Sequence, residues 1–337
     1  MNLTKYICIP LIIATSIFSL ASCKEKKGEA IKLNIDPKSL TVSGVSSGGY
    51  MAHQFHIAYS DLVKGAGLIA SGPFGCAENS LQTALSNCLN NTKTMDKTNY
   101  LSKLKNLNNT DISSLENLKK SKVWIYRGTN DTTVSENVVK AQAEVYRALN
   151  AQVVEVYNFP SGHGVPTKSF GINCEMTESP FINNCGFDAA SALLHYINDT
   201  PLSRSETNSN LDNKGKIIAI NQAEYLLKND SNTLADTGYL YAPKSCINGE
   251  KCKLHIAFHG CQQNQESIEM QFIENAGYNE WADQNNTVIL YPQTTASDVP
   301  LNPKACWDWW GCTGDNYQTK NGKQMKHVYQ MVLGITK

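Results

Sequence analysis

Three residues, Ser46, Asp131 and His163, have the types, order and surroundings needed for acyl transfer. Ser46 is the centre of "GVSSG", which fits G-x-S-x-G, with an apolar run before it and a helical pattern after it. A serine held at a sharp strand-to-helix turn projects its hydroxyl from the sheet edge, and small neighbours let the backbone bend without clash. Ser47 is the competing nucleophile, but it has no glycine two residues earlier, so Ser46 is preferred. The Ser47 N–H, at the start of the helix, is placed to meet developing negative charge.

A serine alone is a weak nucleophile and needs a base oriented by an acid. "KVWIYRG" is followed by "TNDTTV", which puts Asp131 just past a strand end, and "QVVEVYNF" by "PSGHGVP", which puts His163 past the next. Loops at the carboxyl ends of strands are where chemistry sits in open α/β sheets. His53 and His56 fall on the first helix, His195 beside Leu193 and Leu194, and His327 near the C-terminus; these read as packed or surface residues.

The elements that must position these groups alternate between strand and helix, which argues an α/β sheet. Strands are expected over 40–45, 65–71, 122–128, 152–159, 238–243, 253–260 and 287–293, and helices over 48–60, 135–149, 186–198 and 267–284. In the first helix Met51, Phe55, Ala58, Tyr59 and Leu62 recur at helical spacing and should face the sheet. Residues 100–121 read as a polar rim and 201–215 as a polar surface connection. Neither half of the chain holds enough strands for a sheet of its own, so residues 31–337 are expected to form one catalytic domain.

Acyl transfer also needs a second oxyanion donor, often on an HGG-type loop that precedes the serine in chain order. None precedes Ser46, but "KLHIAFHGCQQN" runs into His259-Gly260-Cys261 late in the chain. Circular permutation accounts for this: the strands that usually come first lie in the C-terminal half, and 201–215 joins the old ends.

The chain of 337 residues is 41% hydrophobic and 18% charged, with 30 basic and 30 acidic residues. No basic block or zinc-finger spacing appears, which disfavours a nucleic-acid partner. Lys5 followed by an apolar run from Tyr6 to Leu20 is a secretory-signal pattern, too short for a membrane span. It ends in "LASC", so residues 1–22 read as a lipoprotein signal peptide, Cys23 as the lipidated residue and 23–30 as a charged tether; an ordinary signal peptide is the alternative. The protein is therefore expected to be exported and held at a membrane through that anchor only.

Of eleven cysteines, nine lie beyond residue 23, in an oxidising setting. Spacing suggests the local pairs Cys76–Cys88, Cys174–Cys185 and Cys246–Cys252, leaving Cys261, Cys306 and Cys312 with one unpaired. No cysteine or histidine cluster has metal-ligand spacing, and neither a metal nor an organic cofactor is implied.

Together "VSGVSSGGYMA", "NDTTV", "HGVPT", "CEMTESPFINNC", "LHIAFHGC", "GYNEWADQNNTVILYPQ" and "CWDWWG" resemble the single-domain, circularly permuted poly(3-hydroxybutyrate) depolymerases, over residue 31 to the end. The resemblance implies an α/β-hydrolase with a mostly parallel central sheet and helices on both faces. It puts Ser46, Asp131 and His163 on that family's triad and the N–H groups of Ser47 and Cys261 on its oxyanion hole. It adds the pair Cys261–Cys306 and leaves Cys312 free. The implied activity is serine-esterase hydrolysis of a short-side-chain polyester or its oligomers. The rival readings are an esterase for feruloyl, acetyl or other small esters and, in another class, a surface lipoprotein that only binds. Because Trp307 follows Cys306 directly, it is expected to be the exposed tryptophan that walls the substrate groove.

Overall fold

In the computed structural model the described residues are 33–91, 95–200, 214–228 and 230–337. The chain divides into a first unit ending at Ile31 and a second, Lys32–Lys337. The segments expected to be a signal peptide and a tether, with Cys23, and residues 201–213 of the polar connection lie outside the described residues.

Eleven strands are present among the described residues. The N-terminal half supplies β1 (Thr41–Val45), β2 (Gly65–Ile69), β3 (Lys122–Tyr126) and β4 (Gln152–Val156), then the short β5 (Val165–Thr167), β6 (Ile172–Asn173) and β7 (Ile182–Asn184). The C-terminal half supplies β8 (Lys216–Asn221), β9 (Thr237–Ala242), β10 (Lys253–Phe258) and β11 (Thr287–Tyr291). Eight of them form one sheet in the order β4-β3-β2-β1-β10-β11-β9-β8, and β5-β7-β6 form a small second sheet. The six strands from β4 to β11 are parallel, while β9 and β8 add antiparallel pairings at one edge. A chain begun at β8 would meet these strands in the order of an ordinary α/β-hydrolase, so the permutation is visible in the sheet.

Alternation along the central strands sends side chains to two cores. Val42, Leu68, Ile256 and Leu290 join one, and Val45, Ile69, Ala257 and Ile289 the other. The helices Ser47–Ala58, Glu136–Ala148 and Lys323–Ile335 cover the first face; Ala189–Ile197 and Tyr278–Asn285 cover the second. Both faces being covered explains why the central parallel strands are buried along nearly their whole length.

The first helix departs from its amphipathic reading. All of Ser47–Ala58 is buried, so its polar residues need internal partners. His56 lies 2.9 Å from both the Tyr146 and Ser121 hydroxyls, and Gln54 donates to the Asp308 carbonyl. The single helix expected over 267–284 is three short ones, Gln265–Ile268, Gln271–Asn275 and Tyr278–Asn285, because Glu269 and Gly277 take left-handed φ of 54° and 90°. The stretch read as a polar rim contains the end of a helix, Lys97–Leu107, whose Tyr100 and Leu104 reach the core. Strand β8 and the C-terminal helix were not anticipated from sequence.

Candidate active site

The sharp corner at the end of β1 is real in the backbone. Ser46 sits at φ 54° and ψ −122°, a conformation few L-residues adopt, between β1 and the Ser47–Ala58 helix. It is held there by hydrogen bonds from Ser46 N–H to Ile69 O at 2.9 Å and from Tyr50 N–H to Ser46 O at 3.0 Å. The corner needs its glycines for close approach. A Cβ on Gly44 would stand 2.2 Å from Gly48 O, and one on Gly48 2.3 Å from the carbonyls of Phe258 and His259. The second contact lets the helix start beside the exit of β10.

Asp131 follows β3 and is 2% exposed. Its Oδ1 accepts N–H bonds from Thr133 at 2.8 Å and Val134 at 2.9 Å, while Oδ2 lies 2.9 Å from His163 Nδ1. Burial pushes its carboxyl pKa up, but the charge and hydrogen bond of His163 and the two backbone donors outweigh that, and it ends below the usual carboxylate value. His163 follows β4, its N–H donating to Thr177 Oγ1 at 2.8 Å. The loop bearing it rests on the segment closed by the Cys174–Cys185 bridge, where Gly162 N–H donates to Cys174 O at 2.8 Å.

Ser46 and His163 line one cavity of about 490 Å³, a size suited to a small organic ligand. No hydrogen bond joins their side chains. Such contacts commonly tighten only when substrate is bound. Four consecutive amides follow β10 at the cavity's edge. Gly260 N–H donates to Gln263 Oε1 at 2.7 Å, Gln262 N–H to Lys304 O at 2.8 Å, and Gln263 N–H to Gly260 O at 3.3 Å. Cys261 N–H has no acceptor among the described residues, nor has Ser47 N–H at the helix start. Both donors lie at residues that line the cavity with Ser46.

The bonded pairs are Cys76–Cys88, Cys174–Cys185, Cys246–Cys252 and Cys261–Cys306, and Cys312 is free. Burial pushes the Cys312 thiol up, helped by the neighbouring Asp308 carboxylate. No group of three or more histidine, cysteine or acidic side chains that could hold a metal ion is found among the described residues.

The expectation for Trp307 is corrected. It is fully buried, edge-on to Phe258 at 4.9 Å and tilted against His259 at 5.6 Å. The Cys261–Cys306 bridge ties the residue before Trp307 to the turn that follows β10, and the Trp307 backbone N–H reaches Ser47 Oγ at 3.3 Å. The cavity wall is made instead by Trp309 and Trp310, with Trp309 stacked on Tyr50 at 4.7 Å. Asp308, 1% exposed, lies between Trp307 and Trp309 and turns the chain there. Its carboxylate accepts N–H bonds from Trp310, Gly311, Cys312 and Thr313 and the Thr313 hydroxyl.

Sequence reasoning also missed Leu81, Leu85 and Leu89, which line the same cavity. Their four-residue spacing was a readable signal, since it puts all three on one side of the helix Leu81–Asn87 and its continuation. Gln263 and Asp308 carried no such signal, because their roles lie in backbone groups brought together by folding.

No family model matches the chain. It is 38% identical over 306 residues to a poly(3-hydroxybutyrate) depolymerase of Delftia acidovorans, covering 89% of this chain but only 60% of that protein's length. It is 37% identical over 318 residues to a polyhydroxybutyrate depolymerase of Talaromyces funiculosus, covering 90% of this chain and 91% of the relative. Among solved structures, a PHB depolymerase variant complexed with an R3HB trimer superposes with a TM-score of 0.82 at 35% identity, covering 90% of this chain and 98% of that one. The PHB depolymerase from Penicillium funiculosum does so at 0.81 and 36%, with the same coverage. With more than nine-tenths of the Talaromyces relative spanned at this identity, the chain belongs to the poly(3-hydroxybutyrate) depolymerase family.

Proposed function

We propose that the protein is a serine ester hydrolase that cleaves poly(3-hydroxybutyrate)-type polyesters or their oligomers through an acyl-enzyme. One observation carries this reading: Ser46, at a strained corner, shares an apolar cavity with His163 and two free backbone donors. His163 Nε2 takes the Ser46 hydroxyl proton as Oγ bonds to the ester carbonyl carbon. Asp131 accepts from Nδ1–H and offsets the imidazolium charge that forms. The carbonyl oxygen, now an oxyanion, is met by the N–H groups of Ser47 and Cys261. The C–O bond then breaks, the departing alcohol takes the proton from His163, and water repeats the sequence to free the acid.

The substrate follows from the walls. Leucines and tryptophans face an uncharged chain of methyl and methylene groups, and Lys304 is the only permanently charged residue among those lining the cavity. Relative rates on a hydroxybutyrate trimer and on feruloyl or acetyl esters test the reading. Faster turnover of the small esters would move it to the rival esterase. Mapping a fluorophosphonate adduct by peptide mass tests the nucleophile, with the label expected on Ser46 and not on Ser47.

Four disulfides fit an exported protein. The sequence at "LASC" supports lipid attachment at Cys23 after removal of residues 1–22. Cys23→Ser should then release the enzyme from membranes in cell fractionation. Unchanged retention, with no lipid mass on the N-terminal peptide, would refute the anchor.

A further inference from the structure

Gln263 is 2% exposed and every hydrogen-bonding group of its side chain is used. Its Oε1 accepts Gly260 N–H at 2.7 Å; its Nε2 donates to Pro180 O at 3.0 Å and Phe181 O at 2.9 Å. The first bond lies within the turn that leaves β10. The other two cross to a different loop. Phe181 O also accepts Val165 N–H at 2.9 Å, and a Cβ on Gly164 would stand 2.6 Å from that same oxygen. The segment His163–Gly164–Val165 therefore rests on the peptide that Gln263 grips.

We propose that Gln263 is a positioning residue that sets the oxyanion donor and the catalytic base in one frame. The inference rests on the roles given above to Ser46, His163 and Cys261. By taking Gly260 N–H, the Gln263 carbonyl turns that amide away and leaves Cys261 N–H as the donor facing Ser46. By holding Pro180 and Phe181, its NH2 fixes the distance from that donor to the imidazole. Both groups must be in place at once when the tetrahedral intermediate forms, and a displacement of about 1 Å costs on the order of 10²-fold in rate. A buried glutamine with a purely structural role would affect stability alone.

Gln263→Met keeps the length of the side chain and removes all three bonds. It is expected to lower kcat 10- to 100-fold on both a hydroxybutyrate trimer and p-nitrophenyl butyrate, with KM within about twofold. Affinity for a trifluoromethyl ketone analogue, which binds as an oxyanion, should fall by the same factor. Wild-type kcat in the folded variant, or a loss confined to KM, would overturn the proposal. If the Met variant does not fold, Gln263→Glu decides. It keeps the acceptor for Gly260 and regains a donor only when protonated, so its kcat relative to wild type should rise as pH falls; a ratio constant with pH would sink the idea. Fluorophosphonate labelling of the wild type separates the two failures. No label on Ser46 refutes the underlying active-site reading, whereas a labelled Ser46 with an indifferent Gln263 refutes this inference only.

Discussion

Strand β1 and the corner that ends it present two serines to two histidines, three residues apart, with opposite outcomes. Ser43 Oγ lies 2.8 Å from His255 Nε2, a better contact than Ser46 makes with His163. Yet Ser43 and His255 are fully buried, the other imidazole nitrogen meets the Thr41 hydroxyl at 2.8 Å, and Ser43 also touches Tyr278 OH at 2.8 Å. Burial pushes the His255 pKa down to about 3, which makes it a poor base. His163, at the strand-end loop, has a carboxylate behind it and a cavity in front. A short serine–histidine contact is therefore no sign of catalysis. The acid partner, the room for a substrate and the free N–H donors make the difference.

The comparison breaks most directly at the serines. Ser46→Ala is expected to lower kcat by about 10⁴- to 10⁶-fold. Ser43→Ala should leave kcat within about threefold of the wild type, and steady-state assays of both variants on one ester settle the contrast. An equal loss in the Ser43 variant would erase the distinction drawn here.

Next in size is the acid. Asp131→Asn retains an oxygen for the Thr133 and Val134 amides but no longer stabilises the imidazolium or its tautomer, and a loss of about 10⁴-fold in kcat is expected. His255 has no acid to lose. A loss below tenfold would place the orienting group elsewhere.

Acid titration sharpens the comparison through stability. His53 and His259 are depressed by burial to about 4, and His56 and His255 to about 3. Each lies below its ordinary value of 6.5, so between the two the unfolded chain binds more protons than the folded one. The stability these neutral imidazoles contribute is complete above pH 6.5 and is lost as pH falls toward 4 and 3. At pH 5 each such group costs about 2 kcal/mol, several kcal/mol in sum. Asp131, depressed from 3.8, adds its loss only below that value. Urea midpoints that stay flat from pH 7 to 5 would contradict this.

The smallest effect belongs to the buried pair. Ser43→Ala leaves the hydroxyl of Tyr278 and Nε2 of His255 without their partner, at about 1–3 kcal/mol of unfolding free energy. A neutral result in chemical denaturation would mean that the network relaxes around the loss.

Much of this site was legible because its signals are local. The elbow at Ser46 is a strand, a corner and a helix within some fifteen residues, and Asp131 and His163 each follow a strand that propensity alone reveals. Trp307 was misread because exposure depends on which side of the Cys261–Cys306 bridge the chain passes. Three tryptophans within four residues look alike in sequence, and the turn built by the Asp308 carboxylate separates Trp307 from the two that line the cavity. Gln263 was invisible for a similar reason: its partners at Pro180 and Phe181 lie more than eighty residues away. The helix expected over 267–284 failed at Glu269, whose type gives no hint of its left-handed backbone.

The neighbour of β1 in the sheet has a consequence for the order in which the molecule can be built. Thr41 pairs with His255, 214 residues downstream, although β1 and β2 are close in sequence. During synthesis the N-terminal strands emerge first, and β1 then presents an open hydrogen-bonding edge in the middle of what will become the sheet. Such edges recruit other chains until they are covered, and contacts this distant form slowly. The strand that leads to Ser46 thus keeps one side open until β10 arrives, so a chain halted before residue 258 leaves that edge uncovered and lacks the turn that carries Cys261.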